Sequence, residues 1–387
     1  MKFGFGRILK AGACMLPGLL PLCAQTAAPQ KPLMAEDVFK NVQVLKGIPV
    51  NQFMETMGFF SAALGYNCTN CHGNDVLGNW AKYADDIPVK RTARRMVTIV
   101  NTINKQLFNG REAVTCYTCH RGSPTPKIVP SLLEQYSEPP PDDPNEVELS
   151  ARAPKVPTAD DVLNRYIEAL GGAQRLATLT SYTGKGRYDG FDSYHGKVPV
   201  DLYAKATGER TVIAHTQNGD SITAYDGSNA WIEGPDKPVS VLQLVPGSGD
   251  FEGVKLDSTL AFPGKLKGTL TDWRTGFPTT TIDERPVNVI QGKIGGTRVK
   301  FFFDKETGLL SRVVRYSNTV VGPVPIQIDY SDYREVAGVK IPFQWKLTWT
   351  DGQSSYAMDE IKPNVAIDPA KFGRPAAAAK PVVAPVQ

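Results

Sequence analysis

Apolar positions in the first third of the chain recur with the spacing of two amphipathic helices. Phe53, Met57, Phe60 and Leu64 lie on one helical face, and Gly65 follows as a stop signal. A second helix is predicted to begin after Pro88 and to end at Asn109-Gly110. Its apolar positions are Val89, Ala93, Met96, Val100, Ile103 and Leu107. Each helix therefore carries a methionine on a face that we expect to be buried.

From about residue 158 the pattern changes to the two-residue period of β-strands. Apolar residues alternate with other residues in three runs: Ile341, Phe343, Trp345, Leu347 and Trp349; Val299, Phe301 and Phe303; Ile326, Ile328 and Tyr330. Turn signals separate the runs at Asn218-Gly219, Asp226-Gly227, Gly295-Gly296, Thr307-Gly308 and Asp351-Gly352. The pattern predicts a long antiparallel meander with one apolar face.

A helix is predicted to open this β-rich segment. Thr158 is a plausible N-cap, and Gly171-Gly172 provides the stop. The apolar side of this helix consists of Val162, Leu163, Tyr166, Ile167 and Leu170. The whole chain is therefore expected to combine a mainly helical part with an antiparallel sheet.

The chain has 387 residues, enough for two domains, and 41% of them are hydrophobic. The formal net charge of +4 gives no indication of a nucleic-acid partner. Lys2, Arg7 and Lys10 precede a short apolar stretch at residues 11–22, and a small-residue cleavage site precedes Gln25. This pattern predicts export. A lipidated Cys23 is the alternative to cleavage after Ala24, although Leu22 is large for that motif.

Two short motifs carry the chemistry. They are Cys68-Thr69-Asn70-Cys71-His72 and Cys116-Tyr117-Thr118-Cys119-His120. Two thiols at this spacing can add to the vinyl groups of a haem, and the adjacent histidine can ligate its iron. The remaining cysteines, Cys14 and Cys23, lie in the export signal. The sequence therefore predicts two covalently bound haem c groups.

Other chemistry can use the same cysteine spacing. Two Cys-x-x-Cys pairs can supply four thiolates to one zinc ion. They can also form disulfides or redox-active dithiols. The histidine after each pair and the exported context favour haem over these alternatives.

The histidine count limits the sixth ligand of each iron. The four histidines are His72, His120, His195 and His215, and the last two lie in the β-rich segment. Methionine is then the remaining strong ligand, so Met57 and Met96 are the predicted axial ligands, with Met54 as a rival to Met57. The alternative is that these methionines only fill the core. Lys90, Arg91, Arg94 and Arg95 either pair with haem propionates, dock an acidic partner or form a solvated face.

At these residues the chain resembles the cytochrome c subunit of photosynthetic reaction centres. The resemblance covers residues 35–130. It rests on Val44-Leu45, Phe53, Met57, the first motif, Ala81-Lys82-Tyr83, Ala93-Arg94-Arg95-Met96, Ile103-Asn104 and the stretch from Val114 to Gly122. It implies that the methionine of the preceding helix, Met57 or Met96, completes each haem site. The family subunit carries two diheme halves and usually a lipid anchor, whereas this chain has one diheme unit.

The β-rich segment resembles the open-barrel domain of lipoprotein-carrier proteins. The shared residues are Ala169-Leu170-Gly171-Gly172, Tyr330-x-x-Tyr333 and Gly338-Val339-Lys340-Ile341-Pro342. In that fold a curved sheet wraps a helix around an apolar cavity. Phe343, Trp345, Leu347 and Trp349 either line such a cavity and hold an acyl chain or a quinone-like molecule, or form ordinary core. No catalytic constellation is evident, and His195 and His215 have no ligand partner at metal spacing.

Together these patterns predict an α+β multidomain protein, with a mainly α diheme cytochrome c domain before a curved antiparallel half-barrel that has a leading helix. The predicted segments are a signal peptide (1–24), a leader (25–34), the diheme domain (35–130), a proline-rich acidic linker (131–157), the β-rich domain (158–372) and a low-complexity tail (373–387).

The predicted function is electron transfer in the periplasm or at the outer side of the inner membrane. The expected partners are redox proteins, a membrane complex or a reaction centre. One alternative is a diheme peroxidase-type oxidoreductase. Another is a carrier or sensor for an apolar ligand held in the β-rich domain.

Overall fold

Short helices occupy the first part of the chain in the computed structural model. The structure describes residues 31–76, 79–139, 142–149, 156–194, 196–235, 239–276 and 280–376. The predicted signal peptide, most of the leader, His195 and the end of the tail lie outside these residues. The helices before the sheet are α1 (Ala35–Val38), α2 (Val50–Leu64), α3 (Cys68–His72), α4 (Pro88–Leu107), α5 (Cys116–His120) and α6 (Leu132–Tyr136).

The two long helices end where the sequence predicts. α2 stops at Gly65, whose φ of 63° is the left-handed conformation that glycine adopts without a Cβ penalty. α4 begins with Pro88 at its first turn, where the missing N–H costs nothing. Asn109 and Gly110, both at positive φ, follow the end of α4. The predicted helix boundaries are confirmed.

The later helices are α7 (Ala159–Ala169), α8 (Ala173–Thr178), α9 (Gly249–Ala261) and α10 (Leu266–Thr269). Thr158 caps α7, because its side chain accepts the backbone N–H of Asp161, and that carboxylate in turn accepts the backbone N–H of Thr158. The predicted leading helix is therefore confirmed. Short 3₁₀ turns lie at Asn74–Val76, Trp80–Ala84, Pro144–Glu146, Phe191–Ser193, Pro263–Lys265 and Pro369–Phe372.

The described residues contain fourteen strands that form one antiparallel sheet. They are β1 (Ser181–Gly190), β2 (Val198–Lys205), β3 (Arg210–Thr216), β4 (Gly219–Tyr225), β5 (Ala230–Glu233), β6 (Val241–Gln243), β7 (Thr271–Thr275), β8 (Thr280–Ile282), β9 (Arg285–Ile294), β10 (Thr297–Asp304), β11 (Leu310–Thr319), β12 (Gly322–Val336), β13 (Val339–Trp349) and β14 (Gly352–Pro363). The five predicted turn dipeptides all lie between, or at the first residue of, consecutive strands.

The first and last strands pair with each other in the middle of the sheet. The order is β6-β5-β4-β3-β2-β1-β14-β13-β12-β11-β10-β9-β7, and β8 pairs with β9. The sheet is curved and does not close. Its inner side holds the largest apolar cluster, in which Tyr166 of α7 contacts Phe303 of β10 with ring centroids 5.1 Å apart. The predicted α+β class with a curved antiparallel sheet and a leading helix is confirmed.

Strand β10 departs from the predicted single apolar face. Phe301 and Phe303 lie in the main core, but Phe302 on the opposite side is also fully buried. Phe302 packs with Leu149, which comes from the predicted acidic linker. Lys300 is 1% exposed, and its Nζ donates to the carbonyls of Asn145 (2.8 Å) and Val147 (2.6 Å). Residues 142–149 therefore cover the outer side of the sheet at this position.

Helix α9 connects β6 to β7 and packs against β4, β5 and β11. It buries Phe251, Val254 and Leu256, and also the polar residues Glu252 and Ser258. Because several sides of α9 are buried, its sequence has no clear apolar stripe, and the sequence analysis did not predict this helix.

The helical part packs on the sheet through α2, within the unit formed by Pro32–Gln387. Gln52 Nε2 donates to the carbonyl of Asn318 (3.0 Å), and Asn51 Nδ2 donates to Asp250 Oδ2 on α9 (3.2 Å). Phe59 packs with Val321 and Val324 at the β11–β12 hairpin. Among the described residues, none of the helices has the length and apolar character needed to span a bilayer.

Candidate functional site

Each Cys-x-x-Cys-His motif forms its own short helix. α3 begins at Cys68 and ends at His72, and α5 begins at Cys116 and ends at His120. Side-chain hydrogen bonds close the first turn of both helices. Asn67 and Asn70 each accept the backbone N–H of the other, and Thr118 Oγ1 accepts the backbone N–H of Thr115. In each motif, both cysteines and the histidine therefore lie within one short helix.

Both motif histidines are held by a backbone carbonyl. His72 Nδ1 lies 3.2 Å from the carbonyl of Tyr83, and His120 Nδ1 lies 2.9 Å from the carbonyl of Ser123. A carbonyl oxygen can only accept, so Nδ1 carries the proton in both rings. In the neutral tautomer that this hydrogen bond selects, the other nitrogen, Nε2, has the free lone pair that a metal requires.

The environment of His72 also favours its neutral form. Burial lowers the pKa of His72, and the charges of Lys90 and Arg94 act in the same direction, against the hydrogen bond to Tyr83. Since only neutral imidazole binds iron, this shift supports ligation.

The four motif cysteines are free thiols in the described residues. Cys68 and Cys119 are exposed, Cys71 is partly buried and Cys116 is buried. Burial raises the pKa of the Cys71 and Cys116 thiols. Thiols rather than thiolates are therefore favoured at these two positions.

A single zinc ion bound by both cysteine pairs needs its ligands within reach of one point. The described residues contain no group of three or more His, Cys, Asp or Glu side chains placed to hold a metal ion. In these residues the two cysteine pairs are therefore not placed to share one ion.

The predicted axial methionines have different surroundings. Met57 is partly buried beside a small apolar cluster formed by Ala35, Leu45 and Ile48. Met54, its rival, is 39% exposed, and Met96 is 36% exposed. The assignment of Met57 and Met96 as ligands stays a prediction.

The apolar stripe of α4 is less buried than the sequence predicts. Val100 is buried, but Val89 and Leu107 are exposed together with Met96. The buried positions of α4 also include Val97 and Asn104. In the part of the chain that the structure describes, Val89, Met96 and Leu107 of the stripe are thus left uncovered, while Ala93 and Ile103 are partly buried. A flat apolar group bound at the motifs would have such a surface available to it.

Contacts made by α2 and α4 link the two motifs. The N–H of Gly122, just after the second motif, donates to the carbonyl of Ala63 in α2 (3.0 Å). A Cβ at Gly65 would collide with the carbonyl of Gly122. α4 contacts both α3 and α5. The two motifs and the two methionine-bearing helices therefore form one contiguous assembly.

The basic residues at the start of α4 fix a loop rather than simply facing solvent. Lys90 Nζ donates to the carbonyl of Tyr83 (2.7 Å), the same carbonyl that holds His72. Arg91 donates to the carbonyl of Asp86 (3.0 Å), and Arg94 binds the Asp86 carboxylate (2.7 Å). The sequence analysis missed this role, because the loop carbonyls are not visible in a charge pattern.

The second motif is covered on one side by the sheet. Cys116, 9% exposed, lies in an apolar cluster with Phe59, Ala63, Val97, Val321 and Val324. Val321 and Val324 belong to the β11–β12 hairpin, whereas Val97 belongs to α4. No sequence signal places this hairpin against the second motif, since the contact joins residues about two hundred positions apart.

The β-rich segment contains a cavity of about 230 Å³ between the inner side of the sheet and helices α7 to α9. Trp345 and Leu347 line it, as predicted, whereas Phe343 and Trp349 are not among the lining residues. Arg210, Arg315, Asp250 and Asp257 also line it. These charged residues come from β3, β11 and α9, and the sequence analysis did not identify them.

His215 has two carboxylate partners on the sheet. Its Nδ1 lies 2.8 Å from Asp220, and its Nε2 lies 3.3 Å from Asp201. Burial lowers the pKa of His215, but the hydrogen bonds and charges of the two aspartates outweigh burial, so the pKa is raised. This geometry is a local ion cluster.

Residues 17–157 match the family model of the photosynthetic reaction centre cytochrome C subunit. The photosynthetic reaction center cytochrome c subunit of Thermochromatium tepidum is 41% identical over 99 residues, which are 24% of this chain and 23% of that protein. The same subunit of Rubrivivax gelatinosus is 37% identical over 99 residues, 24% of this chain and 25% of that protein. The chain spans about a quarter of the length of these relatives. The predicted resemblance of residues 35–130 to this family is confirmed.

A solved LolA superfamily protein from Nitrosomonas europaea matches 57% of this chain and 99% of its own length, at 11% identity and a TM-score of 0.38. Because this similarity is weak, the architecture of the β-rich segment is described by its own strand order alone. The helical part is thus similar to the cytochrome c subunits of photosynthetic reaction centres.

Proposed function

We propose that this chain is a periplasmic diheme c-type cytochrome that transfers electrons between redox partners. Cys68 and Cys71 would attach the first haem, and Cys116 and Cys119 the second. His72 and His120 would each ligate one of the two irons. Met57 and Met96 would each supply a second protein ligand.

The observation that carries this proposal is the state of the two motif histidines. In both rings the Nδ1 proton is donated to a backbone carbonyl, which fixes the ring orientation and leaves Nε2 available. Neither a zinc knuckle nor a disulfide pair requires a histidine held in this way next to the second cysteine.

The surrounding residues fit a haem. The thiols are free, the two pairs are separate, and the apolar stripe of α4 has uncovered side chains beside the motifs. A haem with histidine and thioether ligands supplies a one-electron couple of raised potential. The residues of this chain would hold the group, shield its face and exclude a further ligand from the iron.

The partners and the compartment are part of the proposal. The relatives are subunits of photosynthetic reaction centres by name. By analogy, a membrane redox complex or a soluble redox protein is the proposed partner, on the outer side of the inner membrane. The basic signal pattern at the N-terminus and covalent haem attachment both fit export.

An intact mass of the exported protein under denaturing conditions, together with an absorption spectrum, tests the proposal. We expect the mass of the chain without residues 1–24 plus two haems, and low-spin spectra in both oxidation states. A mass without any haem would overturn the electron-transfer function. Carbon monoxide binding to the native reduced protein would favour the peroxidase-type alternative, because it requires an open iron position.

A further inference from the structure

The cavity of the β-rich segment has aromatic side chains in a wall that is otherwise mainly aliphatic. The aromatic residues are Tyr166, Tyr182, Tyr330, Trp345 and Tyr356. Trp345 and Tyr356 stack with centroids 4.9 Å apart and an interplanar angle of 12°. Flat aromatic faces bind a planar ring better than a flexible chain, because ring stacking adds to the burial of apolar area.

The size of the cavity points to a single ring. An apolar cavity of about 150 Å³ is enough to hold benzene. The cavity here measures about 230 Å³, which suits one substituted ring, whereas sites for larger drug-sized molecules start at about 300 Å³.

One part of the wall offers unused hydrogen-bond donors. Arg315 is 7% exposed, lines the cavity, and donates from one terminal nitrogen to Asp257 (3.3 Å). Its Nε is buried without any hydrogen-bond partner in the described residues. Arg210 lines the same cavity and forms no ion pair in the part of the chain that the structure describes. A buried donor left unpaired is costly, so these groups call for an acceptor.

The acceptor is better neutral than charged. Lys340 is the fifth charged residue of the wall, but it is exposed. The other four are two arginines and two aspartates, Asp250 and Asp257, whose charges balance. A carboxylate or phosphate would have to lose its hydration without a net positive field to replace it. A carbonyl oxygen accepts from a guanidinium at a smaller desolvation cost.

We propose that this cavity binds a quinone, a neutral planar ring with carbonyl oxygens, through stacking on its aromatic wall and a hydrogen bond from Arg315. The choice of a redox-active ring among carbonyl-bearing rings rests on the proposed electron-transfer function. The cavity wall is also joined to the cytochrome part, since Asp250 of the wall accepts a hydrogen bond from Asn51 on α2, the helix that carries Met57.

The test is a titration of the full exported protein with a benzoquinone that carries a short alkyl tail. Quenching of tryptophan fluorescence and the rise in melting temperature report binding. We expect saturable binding to the unaltered protein. Trp345→Phe should reduce the quenching while the melting temperature still rises.

Arg315→Met should weaken quinone binding about tenfold, the loss of roughly one good hydrogen bond. Arg312→Met is the matched control. Arg312 lies on the same strand, also forms a partly buried ion pair, with Asp329 at 2.6 Å, and does not line the cavity. It should change binding by no more than about twofold. If Arg315→Met does not fold, Ala261→Phe provides a second variant, because it fills the cavity without removing a charge and should abolish binding.

Three outcomes would overturn the site. One is the absence of saturable quinone binding in a protein that carries both haems. Another is equal weakening by the Arg315 and Arg312 variants. The third is displacement of the quinone by dodecanoate with an Arg315-dependent affinity greater than that of the quinone, which would make this a fatty-acid site. A protein that binds the quinone but carries no haem would leave the site standing and overturn the proposed function.

Discussion

Cys68 of the first motif is exposed, whereas Cys116, at the same position of the second motif, is 9% exposed and packs against Val321 and Val324 of the sheet. The local design of the two units is the same: a capped single-turn helix and a histidine held by a carbonyl. The carbonyl of the first unit comes from a loop fixed by Lys90, while that of the second lies three residues after its histidine. The motif fixes the chemistry, and the surroundings decide how strongly each unit depends on the rest of the fold.

The largest expected effect is loss of a whole haem. Replacing Cys116 and Cys119 together by alanine should lower the intact mass by one haem, and so should replacing Cys68 and Cys71. The variant without Cys116 and Cys119 should also have a lower melting temperature than the variant without Cys68 and Cys71, because Cys116 is part of the interface with the sheet. Mass spectrometry and thermal unfolding measure these effects. Equal melting temperatures for the two double variants would show that the two units do not differ in their dependence on the sheet.

The next effect concerns the axial ligands. Met57→Ala and Met96→Ala should each lower the reduction potential of one haem by on the order of 0.1 V, because a thioether stabilises ferrous iron. Redox titration followed by absorption measures this. Met54→Ala is the control, since Met54 is 39% exposed and lies one turn earlier on α2. A potential that shifts in Met54→Ala but not in Met57→Ala would move the ligand assignment to Met54.

A glycine contact couples the two units. Gly65→Ala should destabilise the protein by about 3 kcal/mol, because φ is 63° there and a Cβ would collide with the carbonyl of Gly122. Gly47→Ala is the matched control: φ is 79°, but a Cβ would meet nothing within 4 Å, so only the backbone strain of about 1 kcal/mol applies. Chemical denaturation measures both. If the two variants lost similar free energies of unfolding, the close approach of Gly65 to Gly122 would not be what holds the two units together.

The hairpin that covers the second motif gives a smaller effect. Val321→Ala should cost about 2 kcal/mol, since Val321 is 3% exposed in the cluster around Cys116. Val44→Ala, beside the first unit, should cost less than about 0.5 kcal/mol, because Val44 is 39% exposed. Denaturation curves compare the two. In Val321→Ala the spectrum of only one haem should change. Changes in the spectra of both haems would contradict the view that the two motifs have separate environments.

The smallest effect serves as a reference outside both units. The pKa of His215 is raised in the folded chain, because the bonds to Asp220 and Asp201 outweigh burial. Its stabilising contribution is therefore complete below the unfolded pKa of about 6.5 and is lost as the pH rises through the folded pKa. His215→Asn should remove this part of the pH dependence in thermal unfolding between pH 6 and 8. If the melting temperature of His215→Asn still changed with pH as in the unaltered protein, the pH dependence would come from other groups.

Periodicity in the sequence was sufficient for the local elements. Gly65, Pro88 and Thr158 mark helix ends that the structure confirms, and the turn dipeptides fall between the strands. Prediction failed where burial came from distant segments. Phe302 is buried because residues 142–149 cover the sheet, and α9 has no single apolar stripe because several of its sides are buried. The roles of Lys90 and Arg94 depend on carbonyls that no side-chain pattern reveals.

By itself the sequence determined the two Cys-x-x-Cys-His motifs, the limited set of iron ligands and the change from helical to strand periodicity, because each of these depends on residues close together in the chain. Only the tertiary structure decided which motif is covered by the β11–β12 hairpin and which charged groups meet in the cavity. Arg315 lies on β11, whereas Asp250 and Asp257 lie on α9, and folding alone brings the two elements to one wall. Contacts between distant segments are set by the packing of whole surfaces, which local spacing does not encode.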